Sequence, residues 1–224
     1  MSQIEDLLFM ERELKMPLTP LPVRSTFVRL GERGVLISPL PGFKKHISEI
    51  KNFANVTDII APNCFHNLGI KTAHEFFPQA TIWYAKGLEK KLPHFPWQKS
   101  LEESNWPYKE ELPLFQIKGA PKYSEVVFYH KKTKTLLVSD LCFNLKNRKD
   151  FGAKIVYGVF GTLNKLGISR LVLLLTKDKK AFRESLKPIF NLDFENVVMA
   201  HGEIIMGNAK ESLKAAFLER GIKV

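Results

Sequence analysis

Two groups of strand-like segments, each followed by alternating helix and strand, constrain the fold of this chain more than any other feature. The first group opens with a hairpin around the turn at 31–34, and the second covers residues 114–139. Because hairpin strands pair in the interior while helices cover the outside, this order predicts two sheets packed together in a layered α/β sandwich. The predicted strands are 26–30, 35–38, 58–61, 81–85, 114–117, 125–129, 135–139 and 196–200, and the predicted helices are 46–54, 70–77, 87–91, 150–167, 179–190 and 208–220.

The domain organisation follows from the even distribution of apolar residues. A chain of 224 residues buries roughly 70% of its unfolded surface, so it needs neither a metal nor a disulfide to fold. No segment is poor enough in apolar residues to act as a linker, and we expect one domain over 1–224 that begins with an N-terminal arm at 1–22. Residues 92–113 are rich in proline and aromatic residues and predict a long loop. This loop would form either a lid over a functional site or a surface that binds a partner.

The charge balance indicates the class of partner. The net charge is +11, from 34 Lys and Arg against 23 Asp and Glu, and this excess favours anionic partners such as nucleic acid, small phosphorylated substrates or acidic membrane surfaces. Most of the excess is lysine scattered along the chain, which is typical of solvated turns and helix faces, so a dedicated nucleic-acid surface is not favoured. The sequence does not predict the oligomeric state.

The cellular compartment is predicted from cysteine usage and from the N-terminus. Cys64 and Cys142 are too few for a disulfide framework and indicate a reducing environment. The N-terminal residues include several acidic side chains and no long apolar run, unlike a signal peptide. The longest strongly apolar run, 171–175, is too short to span a bilayer. We therefore expect a cytoplasmic protein with no membrane partner.

Three polar residues follow apolar strand segments and are candidate metal ligands. They are His66, Asp140 and His201. Ligands of α/β folds bind beyond the carboxyl ends of strands, and imidazole and carboxylate groups bind Zn, Fe or Mn, so the three residues predict a divalent-metal triad. Each also has an ordinary structural interpretation: a hydrogen-bonded His, an Asp that caps a turn, and a His that begins a turn before Gly202.

The order of elements and these three positions resemble the metallo-β-lactamase-like hydrolase superfamily, in a divergent branch with a degenerate H-x-H-x-D-H motif. The similarity runs from residue 23 to residue 221, with the best local matches at 57–66, 125–130, 135–140 and 200–202. The resemblance implies an αββα sandwich, with two mixed β-sheets face to face, helices outside and the active site at one edge.

When the family motif is aligned with this chain, only the last histidine of the motif is present in the sequence. His66 takes the place of the final His, while Ala61 and Asn63 take the places of the first two. The family's next His falls at Ala120, which cannot bind metal. The resemblance therefore implies that one of the family's two metal sites is lost here, with Asn63 at most a weak oxygen ligand.

The second metal site of the family survives in large part. The bridging Asp matches Asp140 and the final His matches His201, so with His66 three of its four ligands remain. The fourth, an Asp that also activates water in the family's hydrolases, is replaced by Phe65. A single divalent ion with open coordination positions is then expected, or no ion at all.

The loss of that acid leaves the catalytic base unassigned. Candidate bases or supporting residues around the ligands are Glu203, Glu125 and Asp58, and for each of them a structural role is favoured over a catalytic one. The predicted function is a mononuclear metal-dependent hydrolase acting on an anionic ester or phosphate-bearing substrate. The alternative is a catalytically inactive relative that serves as a binding or scaffold module, and nucleic-acid processing is a weaker one.

Overall fold

The first half of the chain folds into a seven-stranded mixed sheet in which strand order follows chain order. The computed structural model describes residues 2–224. Strands are antiparallel up to the fourth and parallel from the fourth onward. They are β1 (Ser2–Ile4), β2 (Leu7–Leu14), β3 (Leu21–Leu30), β4 (Arg33–Ile37), β5 (Asn55–Ala61), β6 (Thr81–Tyr84) and β7 (Lys99–Ser100).

The second half forms a smaller four-stranded sheet and a short two-stranded ribbon. The sheet contains β8 (Leu114–Gln116), β9 (Val126–His130), β10 (Thr135–Val138) and β13 (Asn196–Met199), and the ribbon contains β11 (Phe143–Asn144) and β12 (Leu166–Gly167). The order in the sheet is β13-β10-β9-β8, and β13 pairs with β10 in parallel while the other pairs are antiparallel. Both sheets are therefore mixed.

Helices lie on the outer faces of the two sheets. They are α1 (Ile47–Phe53, after a 3₁₀ turn at Phe43–His46), α2 (Ile70–Phe76), α3 (Leu88–Lys91), α4 (Phe151–Phe160), α5 (Arg170–Leu175), α6 (Lys179–Phe190) and α7 (Ala209–Leu218). The buried residues of α1, α2 and α3 pack with the outer face of the larger sheet. Those of α5, α6 and α7 pack with the outer face of the smaller one.

The layers follow from the two-residue period of the strands. In β9, Phe128 faces the core between the sheets, whereas Val127 packs under the helices. In β5, Ile60 faces the inter-sheet core and Ile59 the helical layer. Strands that are buried on both faces have nearly continuous apolar sequences, and these strands have such sequences. The predicted αββα sandwich is confirmed.

Two predicted elements differ from the structure. Residues 1–22 were expected to form an arm, but β1 and β2 occupy residues 2–14, because residues 7–10 alternate between two core layers and are buried. The helix predicted at 150–167 ends at residue 160, where Gly161 takes a φ of 70°, and the chain beyond it forms β12. Across residues 2–224, no helix combines the length and the apolar character that a bilayer span requires.

Candidate metal centre

The structure brings His66, Asp140 and His201 together at one edge of the sandwich. His66 lies in the loop after β5, while Asp140 and His201 follow β10 and β13. Those two strands are parallel and pair Val138 with Met199, so the residues two positions further along lie side by side. One ligand atom from each of the three side chains falls within 4.8 Å of the other two.

The distances within this trio, defined as His66, Asp140 and His201, are those of direct hydrogen bonds and are close to those in the ligand shell of one ion. His201 Nε2 lies 2.9 Å from Asp140 Oδ1, His66 Nε2 lies 3.2 Å from Asp140 Oδ2, and the two Nε2 atoms are 3.1 Å apart. Ligand atoms about 2.0–2.1 Å from a zinc ion lie roughly this far from one another. The three side chains are only 4–11% exposed.

The hydrogen bonds behind the trio determine which ring nitrogens face it. His201 Nδ1 lies 2.8 Å from the carbonyl oxygen of Pro22, and because a carbonyl only accepts, Nδ1 is the donor there. In the neutral ring Nε2 then presents its lone pair to Asp140. His66 Nδ1 is bonded to Ser38 Oγ at 2.6 Å. Lone pairs that face one another at 2.9 Å need a proton or a cation between them, so this donor set fits a divalent ion.

The electrostatics of the trio are those of a tightly coupled acid and base. Burial alone would raise the pKa of Asp140, but the two neighbouring imidazoles hold that pKa well below its usual range. Burial would lower the pKa of His66, yet the charge and hydrogen bond of Asp140, with Glu125 behind it, raise it above the ordinary value. The pocket therefore favours an ionised carboxylate opposed by positive charge.

We expect the metal-free protein to lose stability as the pH rises through the raised pKa of His66. A raised histidine pKa means that the folded state stabilises the protonated ring, so the contribution is complete below the ordinary value of 6.5 and is lost above the raised one. Urea unfolding of chelator-treated protein at about pH 6 and about pH 9 measures this loss. The variant His66→Gln should show a smaller loss, and an equal loss in both proteins would contradict the prediction.

Asn63 is placed differently from the weak ligand that the sequence predicted. Its Oδ1 accepts the backbone N–H groups of Phe65 and His66, both at 2.8 Å, so this oxygen faces away from the trio. Its amide nitrogen donates to Asp140 Oδ2 at 2.7 Å. Asn63 therefore ties the His66 loop to Asp140, and the prediction of an oxygen ligand is wrong in this geometry.

Glu125 is buried behind Asp140 and holds the backbone on which Asp140 lies. It is 1% exposed, and its carboxylate accepts the backbone N–H groups of residues 139, 140 and 141 at 2.8–3.2 Å. Asn63 Nδ2 and the hydroxyl of Tyr123 also donate to it. Burial and the neighbouring Asp140 raise the pKa of Glu125, while these donors oppose the shift. With every lone pair engaged, Glu125 supports the trio and is not free to act as a base.

The other two candidate bases lie away from the trio. Asp58 accepts hydrogen bonds from Trp83 Nε1 at 2.6 Å and from the hydroxyl of Tyr108, so it satisfies buried polar groups in the inter-sheet core. Glu203 is exposed and lies 3.4 Å from Lys146 Nζ. Neither carboxylate has a hydrogen bond to a member of the trio within the described chain, and the structure brings neither into the site.

Several residues that support the trio were not identified from the sequence. Ser38, which holds His66, directly follows the apolar run of β4, so the pattern that identified the ligands could have found it. The ring of Phe143 stacks on His201 at 4.7 Å between centroids. Gly202 has a φ of 97°, and a Cβ there would lie 2.2 Å from the carbonyl oxygen of Asn144, so only glycine fits. No local sequence signal indicates the last two contacts.

Residues of the N-terminal strands also hold the segment that carries His201. The backbone N–H of Arg24 donates to Ala200 O at 2.8 Å, and its guanidinium donates to the carbonyl oxygens of Met199 and Gly202. With the bond from His201 to Pro22, these contacts join the start of β3 to the end of β13. The two sheets are thus linked at the candidate site.

An apolar cavity opens directly on the trio. Its volume is about 500 Å³, and Asp140 and His201 form part of its wall. The rest of the wall is nearly all apolar and comes from residues 16–21, α4, α5 and Phe65. A smaller cavity of about 230 Å³ is lined by all three residues of the trio, including His66. The candidate site therefore combines three polar ligand atoms with space for an apolar group of moderate size.

Comparisons with known proteins agree with this architecture. A family model described as Domain of unknown function (DUF4336) matches residues 5–151, and no curated protein matches the chain. Among solved structures, DIM-1 metallo-β-lactamase exposed to ceftazidime is 12% identical with a TM-score of 0.69, over 98% of this chain and 96% of that chain. The metallo-β-lactamase from Pontibacter korlensis is 13% identical with a TM-score of 0.67, over 97% of each chain.

A third solved structure extends the same likeness. The metallo-β-lactamase FIM-1 from Pseudomonas aeruginosa, in a mono-zinc form, is 11% identical with a TM-score of 0.65, over 98% of this chain and 94% of that chain. At identities this low the likeness shows the fold. The chain has the metallo-β-lactamase fold, and the resemblance predicted from the sequence is confirmed at that level.

Proposed function

The chain belongs to the family described as Domain of unknown function (DUF4336), and on that premise we propose that it is a metal-dependent hydrolase that cleaves an ester-type bond next to an apolar acyl group. The observation that carries the proposal is the apolar cavity of about 500 Å³ whose wall includes Asp140 and His201. A non-catalytic structural cluster of the same residues would not need an open apolar cavity against it.

The trio is the proposed holder of one divalent ion, Zn, Fe or Mn. His66 and His201 would supply Nε2 atoms and Asp140 a carboxylate oxygen, three ligands that leave open positions as catalytic sites require. A bound ion would supply Lewis acidity toward a substrate oxygen and lower the pKa of water.

The residues around the trio would orient the substrate and exclude bulk water. The apolar wall holds the acyl group, which places its carbonyl carbon at the mouth beside Asp140 and His201. Phe65, 42% exposed, borders both cavities and would cover the reacting bond. In the overall reaction water adds its oxygen to the carbonyl carbon, the bond to the leaving oxygen or sulfur breaks, and the leaving group takes a proton.

The lining of the cavity changes the substrate class that the net charge predicts. Among the described residues that form its wall there is no Lys or Arg, so the cavity itself offers no counter-charge to a phosphate or carboxylate. The part of the substrate that enters it is therefore apolar. Any anionic part of the substrate has to lie outside the cavity.

A second candidate function is a non-catalytic module that binds the same kind of molecule. It is favoured by Phe65, which occupies the position of the water-activating acid in the family resemblance, and by the engagement of Glu125 in five hydrogen bonds. Under this alternative the protein retains an acyl ligand but forms no product from it.

Hydrolysis of p-nitrophenyl esters distinguishes the two functions. Protein reloaded with Zn, Fe or Mn should cleave the octanoate with a kcat/KM at least about 100-fold above that for the acetate, since each buried CH₂ contributes about 0.8 kcal/mol. Chelator-treated protein should show only background hydrolysis. Val156→Trp, which fills the cavity, should abolish the preference for octanoate, whereas Ile155→Trp, on the exposed face of α4, should keep it. Metal-independent cleavage or no chain-length preference would contradict the hydrolase proposal.

A further inference from the structure

A groove lined by lysines lies next to the apolar cavity. Its volume is about 970 Å³, and its two walls are segment 86–91, which includes α3, and segment 116–122, which begins at the last residue of β8. We call it the lysine groove. Its five exposed lysines are Lys86, Lys90, Lys91, Lys118 and Lys122.

The positive charge of the lysine groove is largely uncompensated. Lys86 lies 3.5 Å from Glu102, but in the described part of the chain the other four lysines have no carboxylate within ion-pair distance. Of the two acidic residues in its lining, Glu89 accepts the backbone N–H of Gly87 at 2.7 Å, and Glu125 is buried behind Asp140. The groove therefore presents a net positive surface to solvent, which attracts anions.

The two walls of the groove are close enough to act on one ligand. A Cβ at Gly87 would lie 3.5 Å from the carbonyl oxygen of Pro121, on the opposite wall. Lys91 Nζ is fixed by a 2.6 Å hydrogen bond to the carbonyl oxygen of Cys64, and it lies 5.3 Å from the ring centroid of Phe65. The two walls therefore approach each other closely at this point, and lysines of both walls line the same groove.

The lysine groove and the apolar cavity are adjacent and share part of their lining. Phe65 and Leu175 line both of them. A molecule that lies across the ring of Phe65 has one end among the lysines and the other end in the apolar cavity. Phe65 is also adjacent in sequence to His66. The middle of such a molecule then lies beside the trio, where the proposed hydrolysis takes place.

We propose that the lysine groove binds a phosphate group of the substrate, so that the bond cleaved joins an apolar acyl group to a phosphate-bearing alcohol or thiol. The position of the cleaved bond rests on the proposed hydrolase function, whereas phosphate binding in the groove does not. Lysine ammonium groups bind phosphate as point charges and need no fixed geometry, which suits exposed side chains from two walls. Hydrolysis leaves the phosphate on the alcohol or thiol that departs toward the groove.

Calorimetric titration of metal-free protein tests the phosphate site without turnover. The probes are 1-octanoylglycerol 3-phosphate and 1-octanoylglycerol, which differ only in the phosphate group. We expect the phosphate compound to bind about tenfold more tightly, and Lys118→Ala/Lys122→Ala to remove this advantage without weakening 1-octanoylglycerol. Lys44→Ala/Lys45→Ala, which removes two exposed charges in the 3₁₀ turn before α1, is the matched control and should keep it.

Sedimentation with vesicles of phosphatidic acid in phosphatidylcholine separates the two sources of phosphate. Binding that is lost in Lys118→Ala/Lys122→Ala identifies a lipid headgroup, and binding of the soluble compound alone identifies a free phosphate ester; both support the proposal. Equal affinity for the two probes, or equal loss in the two double variants, overturns it. Ester hydrolysis without a preference for the phosphate compound overturns the phosphate site and leaves the hydrolase function standing. A phosphate preference without metal-dependent hydrolysis overturns the hydrolase function and leaves the phosphate site standing.

Discussion

Replacing His201 with alanine is expected to abolish metal binding and metal-dependent hydrolysis together. In the proposed metal centre His201 would supply one of three ligand atoms, and it is the most buried member of the trio, 4% exposed. With two ligands left, metal affinity should fall by more than about 100-fold, since even the loss of a residue that only supports a ligand costs 10–100-fold. Wild-type protein purified without chelator should contain about one equivalent of Zn, Fe or Mn.

Metal analysis by mass spectrometry measures this loss, with circular dichroism to check the fold. His94→Ala is the matched control, because His94 is exposed in the loop after α3 and its loss should leave the metal content unchanged. Asp140→Asn keeps the shape of the side chain, removes its charge and should also lose the ion. Wild-type protein that takes up no metal when it is offered, or His201→Ala protein that retains it, would refute the metal centre.

The variant Glu125→Gln should destabilise the protein by about 3 kcal/mol, because its side chain would place an amide N–H₂ against donors. The carboxylate of Glu125 accepts three backbone N–H groups, an amide of Asn63 and the hydroxyl of Tyr123. Either orientation of the glutamine amide leaves at least two of these buried donors without an acceptor. Because the same bonds hold the backbone of Asp140, metal affinity should fall as well.

Urea unfolding of the metal-free proteins measures the effect of Glu125→Gln on stability. Glu203→Gln is the control, because Glu203 is exposed and has one ion pair at 3.4 Å with Lys146, so its loss should change stability by less than about 1 kcal/mol. If both substitutions lowered the free energy of unfolding by the same amount, Glu125 would not have the supporting role described above.

The layers of the fold were predictable from the sequence because most strands carry their own signal. The apolar runs of β5, β9 and β10 stand out even without their partners, and the hairpin between β3 and β4 is marked by its glycines. Strand β2 was missed because its last residues are exposed and charged while its first four are buried on both faces. A local pattern cannot show that a terminal segment pairs with β3, since that depends on burial against distant residues.

The three candidate ligands could be named from the sequence, but the residues that surround them could not. His66, Asp140 and His201 each follow a strand, a position that a sequence shows directly. That they lie side by side depends on the parallel register of β10 and β13, which no local feature specifies. The role of Asn63 depends on which way its amide points, and this is determined by neighbours such as Asp140 that are far away in sequence.

The contacts between the start of β3 and the end of β13 also determine when the centre can form. His201 is held by Pro22, 179 positions away, and the guanidinium of Arg24 reaches Met199 across 175 positions. Closing so long a stretch of chain is entropically costly, so we expect these contacts, and with them the placement of His201 beside Asp140, to form late in folding. A nascent chain that has not yet released β13 from the ribosome also lacks His201 at the site, so we expect the proposed ion to bind only after β13 has joined the sheet.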